Sequence, residues 1–75
     1  MTVPNFLQKV SDTEWVIPKT SMPGMRVPAK IIGTESVVSQ MDIQVYDQIK
    51  NVATLPGIIN YAYCMPDGHI SLLYA

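Results

Sequence analysis

Residues 51–69 read NVATLPGIINYAYCMPDGH, and the order of parts in this stretch decides the architecture. It holds the end of an amphipathic helix, a Pro-Gly turn, a strand, and a second turn that presents an acid and an imidazole. In Leu55-Pro56-Gly57-Ile58 the proline is second, where its fixed φ costs nothing, and the glycine third, where a type II turn needs positive φ. The helix before it must stop there. Ile58, Ile59, Tyr61 and Tyr63 form a β-branched and aromatic run with too few polar residues for a solvated loop, the pattern of a largely buried strand over residues 58–64. Met65-Pro66-Asp67-Gly68 has the type I pattern, so Asp67 and His69 stand just past a strand end, where sites are commonly built.

Upstream of this stretch, Thr34 is a good N-cap, and Glu35 lies in the first turn, where a carboxylate suits the helix dipole. A helix is expected over residues 35–54. Val37, Met41, Val45, Ile49 and Val52 recur at spacings of four and three and make its apolar stripe. Asp42 can cap a second segment, so the helix can break near it and resume. Residues 13–18, TEWVIP, read as a first strand, with Trp15 and Ile17 on one face and Val16 on the other, halted by Pro18 and placed at a sheet edge. Met22-Pro23-Gly24-Met25 repeats the type II pattern. Residues 27–32 read as a second strand paired with the first. Pro28 in it cannot donate to a ladder and must face away from pairing. Residues 1–10 are expected as a helical turn or an unstructured tail, with a flexible tail extending to residue 12 at most. The fold class is α+β, with short strands flanking one amphipathic helix and an incomplete sheet.

Composition narrows the function classes. A chain of 75 residues makes one small domain, and near this size only about 60% of the unfolded surface is buried. A hydrophobic fraction of 48% with 15% charged is apolar for so short a chain and implies surfaces that something else covers. The apolar runs are too short to span a membrane, and the N-terminus lacks the pattern of a signal peptide, so a cytoplasmic protein is expected. Five basic and six acidic residues give a formal net charge of −1, which offers no electrostatic case for nucleic-acid binding by this segment alone. The single cysteine, Cys64, excludes an internal disulfide. The four glycines are isolated, with no Gly-rich phosphate loop.

The run NVATLPGI followed by MPDGH, with MPGMRVPAKI upstream, resembles the N-terminal part of the RtcB family of GTP-dependent RNA ligases. The resemblance covers roughly residues 15–69, with three motifs in order, and Gly68 between Asp67 and His69 is within the family's variation. It implies the front of a single ligase domain, with RNA ends as partners and no DNA or membrane. The family joins an RNA 3′-phosphate or 2′,3′-cyclic phosphate to a 5′-hydroxyl, using GTP and manganese and a guanylylated histidine. After His69 the chain reads Ile70-Ser71-Leu72-Leu73-Tyr74-Ala75, where the family continues into a Gly-rich aromatic segment. The later motifs with the metal-binding cysteine and histidines and the nucleophilic histidine are absent. The chain is therefore expected to be inactive and without cofactor on its own.

On residue types alone, an Asp-x-His turn is more often structural than catalytic, the acid holding its turn and the imidazole lying at the surface. The resemblance shifts that weighting and makes Asp67 and His69 the two positions onto which a supporting role in nucleotidyl transfer can be carried. A metal site from Cys64, Asp67 and His69 is discounted, because one cluster within six residues cannot close a tetrahedral site. Cys64 reads instead as a small hydrophobe at a strand end. Arg26 is a secondary candidate for RNA phosphate, whereas Lys30 reads as part of a solvated strand face. Two alternatives stand beside the ligase reading. One is an interaction module that pairs with another copy or with a complementing ligase fragment. The other is a small metal-dependent hydrolase using Asp67 and His69.

Overall fold

Turn chemistry and side-chain caps set the element boundaries, and the computed structural model describes residues 3–68 and 70–74. In chain order the elements are β1 (Gln8–Ser11), β2 (Glu14–Ile17), a short 3-10 turn (Lys19–Ser21), β3 (Ala29–Ile32), α1 (Glu35–Gln40), α2 (Ile43–Val52), β4 (Ile58–Cys64) and β5 (Ile70–Tyr74). The Thr34 hydroxyl accepts from the Val37 N–H and opens α1. The Asp42 carboxylate accepts from the Gln44 N–H at 2.9 Å and opens α2. Gly57, at φ 85°, takes the left-handed position of the type II turn, which the Ile58 N–H closes on the Leu55 carbonyl at 3.3 Å. The Met25 N–H closes the 22–25 turn on the Met22 carbonyl in the same way.

The described residues form a five-stranded sheet in the order β1-β2-β3-β4-β5. β2 and β3 pair antiparallel with Trp15 opposite Ile31 and Ile17 opposite Ala29. β3 and β4 pair parallel with Ile31 opposite Cys64, which obliges the chain to cross over, and α1 and α2 make that crossing. β4 and β5 pair antiparallel around the 65–68 turn, and their register shifts between Ile59 and Ala62, where Asn60 takes φ 65°.

One face of the sheet carries Trp15, Ile17, Ala29, Ile31, Ile58, Ala62 and Cys64, all buried. The helices cover it with Val38, Tyr46, Ile49 and Ala53. The Trp15 indole N–H donates to the Gly33 carbonyl at 3.0 Å, so its burial leaves no polar atom stranded. Phe6 and Tyr46 pack edge to face, with centroids 5.6 Å apart, and the Lys50 ammonium lies 3.7 Å from the centre of the Phe6 ring. That pair of contacts brings the segment before β1 onto α2.

The α+β class, the three expected strands and the break at Asp42 all match the structure. The differences have physical causes. The first expected strand, β2, is interior and not at an edge, because β1 pairs with its other side, Lys9 opposite Trp15. β1 itself lies in the stretch expected as a helical turn or tail. All four of its residues are exposed, so no alternation of apolar residues announces it. The second strand starts at Ala29 rather than residue 27. Pro28 stays outside the strand and contributes only its carbonyl, which accepts from the Ala62 N–H at 3.2 Å. Of the expected helical stripe Ile49 is buried, whereas Val37, Met41, Val45 and Val52 are half-buried and their neighbours Val38, Tyr46 and Ala53 take the buried positions.

Candidate functional site

Asp67 occupies the third position of the turn that follows β4, and the Gly68 N–H closes that turn on the Met65 carbonyl at 2.8 Å. Gly68, at φ 85°, then leads the chain back into β5. The turn lies beside the junction of the two helices. Between them is an open cleft of about 330 Å³ lined by Val37, Gln40, Met41, Asp42, Val45, Pro66, Asp67 and Gly68. Its chemistry is a pair of carboxylates and one amide set on an apolar floor. Both carboxylate residues are exposed. A second hollow, of about 510 Å³, adjoins it at the junction, sharing Gln40, Met41 and Asp42 and reaching Pro4, Ile43 and Tyr46.

Cys64 lies at the end of β4, fully buried, with its thiol 3.8 Å from the Met41 sulfur. Burial raises its pKa, and the nearby negative charge of Asp67 adds to the rise. A buried neutral thiol is the hydrophobe expected of this position, a poor nucleophile and a poor metal donor. Among the described residues no group of three His, Cys, Asp or Glu side chains is placed to hold a metal ion. Two exposed carboxylates do not by themselves make a complete manganese shell. His69 lies outside the described residues.

Arg26 is held elsewhere. Its backbone N–H donates to the Ala53 carbonyl at 2.8 Å, and its Nε donates to the Thr54 carbonyl at 3.2 Å. These bonds satisfy carbonyls at the C-terminal end of α2, where a cation also suits the helix dipole. Asp67 lies by the opposite end of α2, near Asp42 and Val45, so the ten-residue helix separates the two by about 15 Å of rise. The structure does not bring Arg26 and Asp67 to one point. Lys30 lies with its ammonium 3.5 Å from a Glu14 carboxylate oxygen and 4.4 Å from the Tyr61 ring, on the sheet face away from the helices.

Sequence reasoning identified Asp42 as a cap but did not place it, or Gln40, beside Asp67. The capping signal was local. The cleft arises only because the parallel β3–β4 pair sets the turn after β4 against the helix junction.

No family model matches the chain. Several proteins carrying the name tRNA-splicing ligase RtcB do. That of Methanocaldococcus jannaschii is 42% identical over 71 residues, which is 95% of this chain and 7% of the relative. That of Archaeoglobus fulgidus is 37% identical over 70 residues, 93% of this chain and 14% of the relative. That of Pyrococcus abyssi is 40% identical over 70 residues, 92% of this chain and 7% of the relative. The chain thus spans only 7 to 14% of the length of these relatives. Along nearly its whole length the chain belongs to the RtcB family, of whose sequence it carries one segment.

Proposed function

We propose that this chain forms one wall of an RNA-ligase active site, the wall that carries Asp67 and His69, and is inactive by itself. The observation behind the reading is the position of Asp67. It is held in a closed turn at a strand end, facing a cleft at the helix junction, within a segment shared with proteins named tRNA-splicing ligase. The reaction is the joining of an RNA 3′-phosphate or 2′,3′-cyclic phosphate end to a 5′-hydroxyl, through GMP carried on a histidine supplied by sequence beyond this segment. GTP and manganese serve the complete enzyme and bind outside the described residues. Within that site the Asp67 carboxylate supports nucleotidyl transfer through its charge and its fixed position, and His69 assists it. Arg26 contributes at most a phosphate contact from the far end of α2, since its Nε is committed to the helix terminus. Work in the cytoplasm follows from this reading.

Two experiments test it. The chain incubated with labelled GTP and manganese should take up no covalent label, and a labelled band would overturn the claim of inactivity. Exchanging the matching segment of the Archaeoglobus fulgidus relative for this chain should give a hybrid that ligates RNA. Asp67→Ala in that hybrid should lower kcat at least 100-fold with little change in KM for RNA. Full activity of the Asp67→Ala hybrid would remove Asp67 from the site.

A further inference from the structure

Asp67-Gly68 is the one place in the chain where an Asp or Asn is followed by glycine. The other aspartates precede Thr13, Ile43 and Gln48, and the asparagines precede Phe6, Val52 and Tyr61. An Asp-Gly pair is chemically labile, because a residue without a side chain leaves its backbone nitrogen open to attack the side-chain carbonyl carbon just before it. Asp67 is exposed, so water reaches it. The fold opposes the attack. The Gly68 N–H is committed to the Met65 carbonyl at 2.8 Å, and Asp67 keeps a negative φ, as the third residue of a type I turn does. At that position ψ lies at about 0°, whereas ring closure needs ψ turned until Cβ eclipses the Gly68 nitrogen. We propose that Asp67-Gly68 is a site of spontaneous isoaspartate formation that the closed 65–68 turn holds in check.

Water is the only co-reactant. The Gly68 nitrogen bonds to Cγ of the protonated Asp67 carboxyl, the Cγ–OH bond breaks, and the hydroxyl leaves with the amide proton as water, giving a five-membered succinimide. A second water opens the ring. Attack at Cγ restores aspartate. Attack at the main-chain carbonyl carbon breaks its bond to the Gly68 nitrogen, so the chain now runs through Cβ and Cγ, the carboxylate stands on Cα, and the mass is unchanged. The main chain is then one atom longer, and the turn between Met65 and Gly68 cannot close as before. The carboxylate also leaves the position that Asp67 holds in the cleft with Gln40 and Asp42. In folded molecules the rate is set by how often the turn opens. The isomerisation does not depend on the ligase reading.

Ageing the whole chain near neutral pH, folded in buffer and unfolded in guanidinium chloride, tests this. From residue 51 onward there is no Lys or Arg, and Asp67 is the only Asp or Glu, so trypsin releases one peptide, 51–75, that reports on this position. A second chromatographic peak of unchanged mass, resistant to a protease that cuts before aspartate, marks isoaspartate. It should grow about fivefold faster or more in the unfolded chain, the factor that one net hydrogen bond carries. Pro66→Gly frees the second residue of the turn and leaves Asp67-Gly68 intact. It should bring the folded rate toward the unfolded one while far-UV circular dichroism is retained. The comparison of folded with unfolded chain needs no variant. Absence of the peak from the unfolded chain would remove the site, and equal or faster growth in the folded chain would remove the restraint. Neither result bears on ligation by the Asp67→Ala hybrid, so the ligase reading stands or falls separately.

Discussion

The phenol of Tyr46 lies beneath the helix pair, 1% exposed, with its hydroxyl donating to the Val38 carbonyl at 2.6 Å. Burial, and secondarily the neighbouring Cys64, push its pKa from 10.0 up to about 12. The folded state therefore holds this proton more tightly than the unfolded chain does. Stability from this group is complete below the ordinary pKa and is lost as pH climbs from there to about 12. Urea denaturation at a series of alkaline pH values should show that loss. Tyr46→Phe should flatten it while costing about 1 kcal/mol at neutral pH, the net worth of one hydrogen bond. An unchanged alkaline slope in the variant would assign the loss to other groups. Cys64 yields a second prediction at this scale. Its thiol is buried and its pKa raised, so an aromatic disulfide reagent at neutral pH should label it only as fast as the chain opens. Prompt labelling of the native chain would contradict the placement of Cys64 under Met41.

The helix break is the feature that shapes the cleft at the scale of elements. Met41 ends α1 in an extended conformation, and Asp42 begins α2 by accepting from Gln44, so the chain turns where a continuous helix would have run straight. Asp42→Ala removes that cap and should destabilise the fold by about 1 kcal/mol, read as a lowered urea midpoint with an unchanged slope. A steeper or shallower slope would mean that the substitution alters the compactness of one of the two states. At the other end of α2, the Arg26 bonds fasten the 22–26 loop to the helix terminus. The cation thus serves the fold first, whatever the complete enzyme asks of it.

For the molecule as a whole, the stability margin is small. A chain of 75 residues at the usual stability per residue has about 4–11 kcal/mol to lose. Ile31 is fully buried at the centre of the sheet, opposite Trp15 on one side and Cys64 on the other. Ile31→Ala should cost about 2–5 kcal/mol, enough to leave a substantial unfolded population at physiological temperature. A melting curve unchanged from the parent chain would show that the parallel β3–β4 pair does not carry the core. The sheet face opposite the helices is half-buried, with Lys30 held between Glu14 and the rings of Tyr61 and Tyr63. It accounts for part of the apolar excess in the composition.

The sequence by itself determined what depends on neighbours along the chain. Pro56-Gly57 and Pro66-Asp67-Gly68 fixed two turns, Thr34 and Asp42 fixed two helix starts, and Trp15 with Ile17 fixed the inward face of β2. The motifs around them were specific enough to mark the family, which the archaeal relatives then matched. Only the tertiary structure decided where β1 lies, because a fully exposed four-residue strand carries no periodic signal and exists by pairing with β2. It also decided the company that Asp67 keeps. Asp42 and Gln40 are some 25 residues away along the chain and reach the same cleft through the β3–β4 crossover. A turn or a cap is closed by hydrogen bonds within four residues, whereas a cleft is closed by packing between elements that no local pattern encodes.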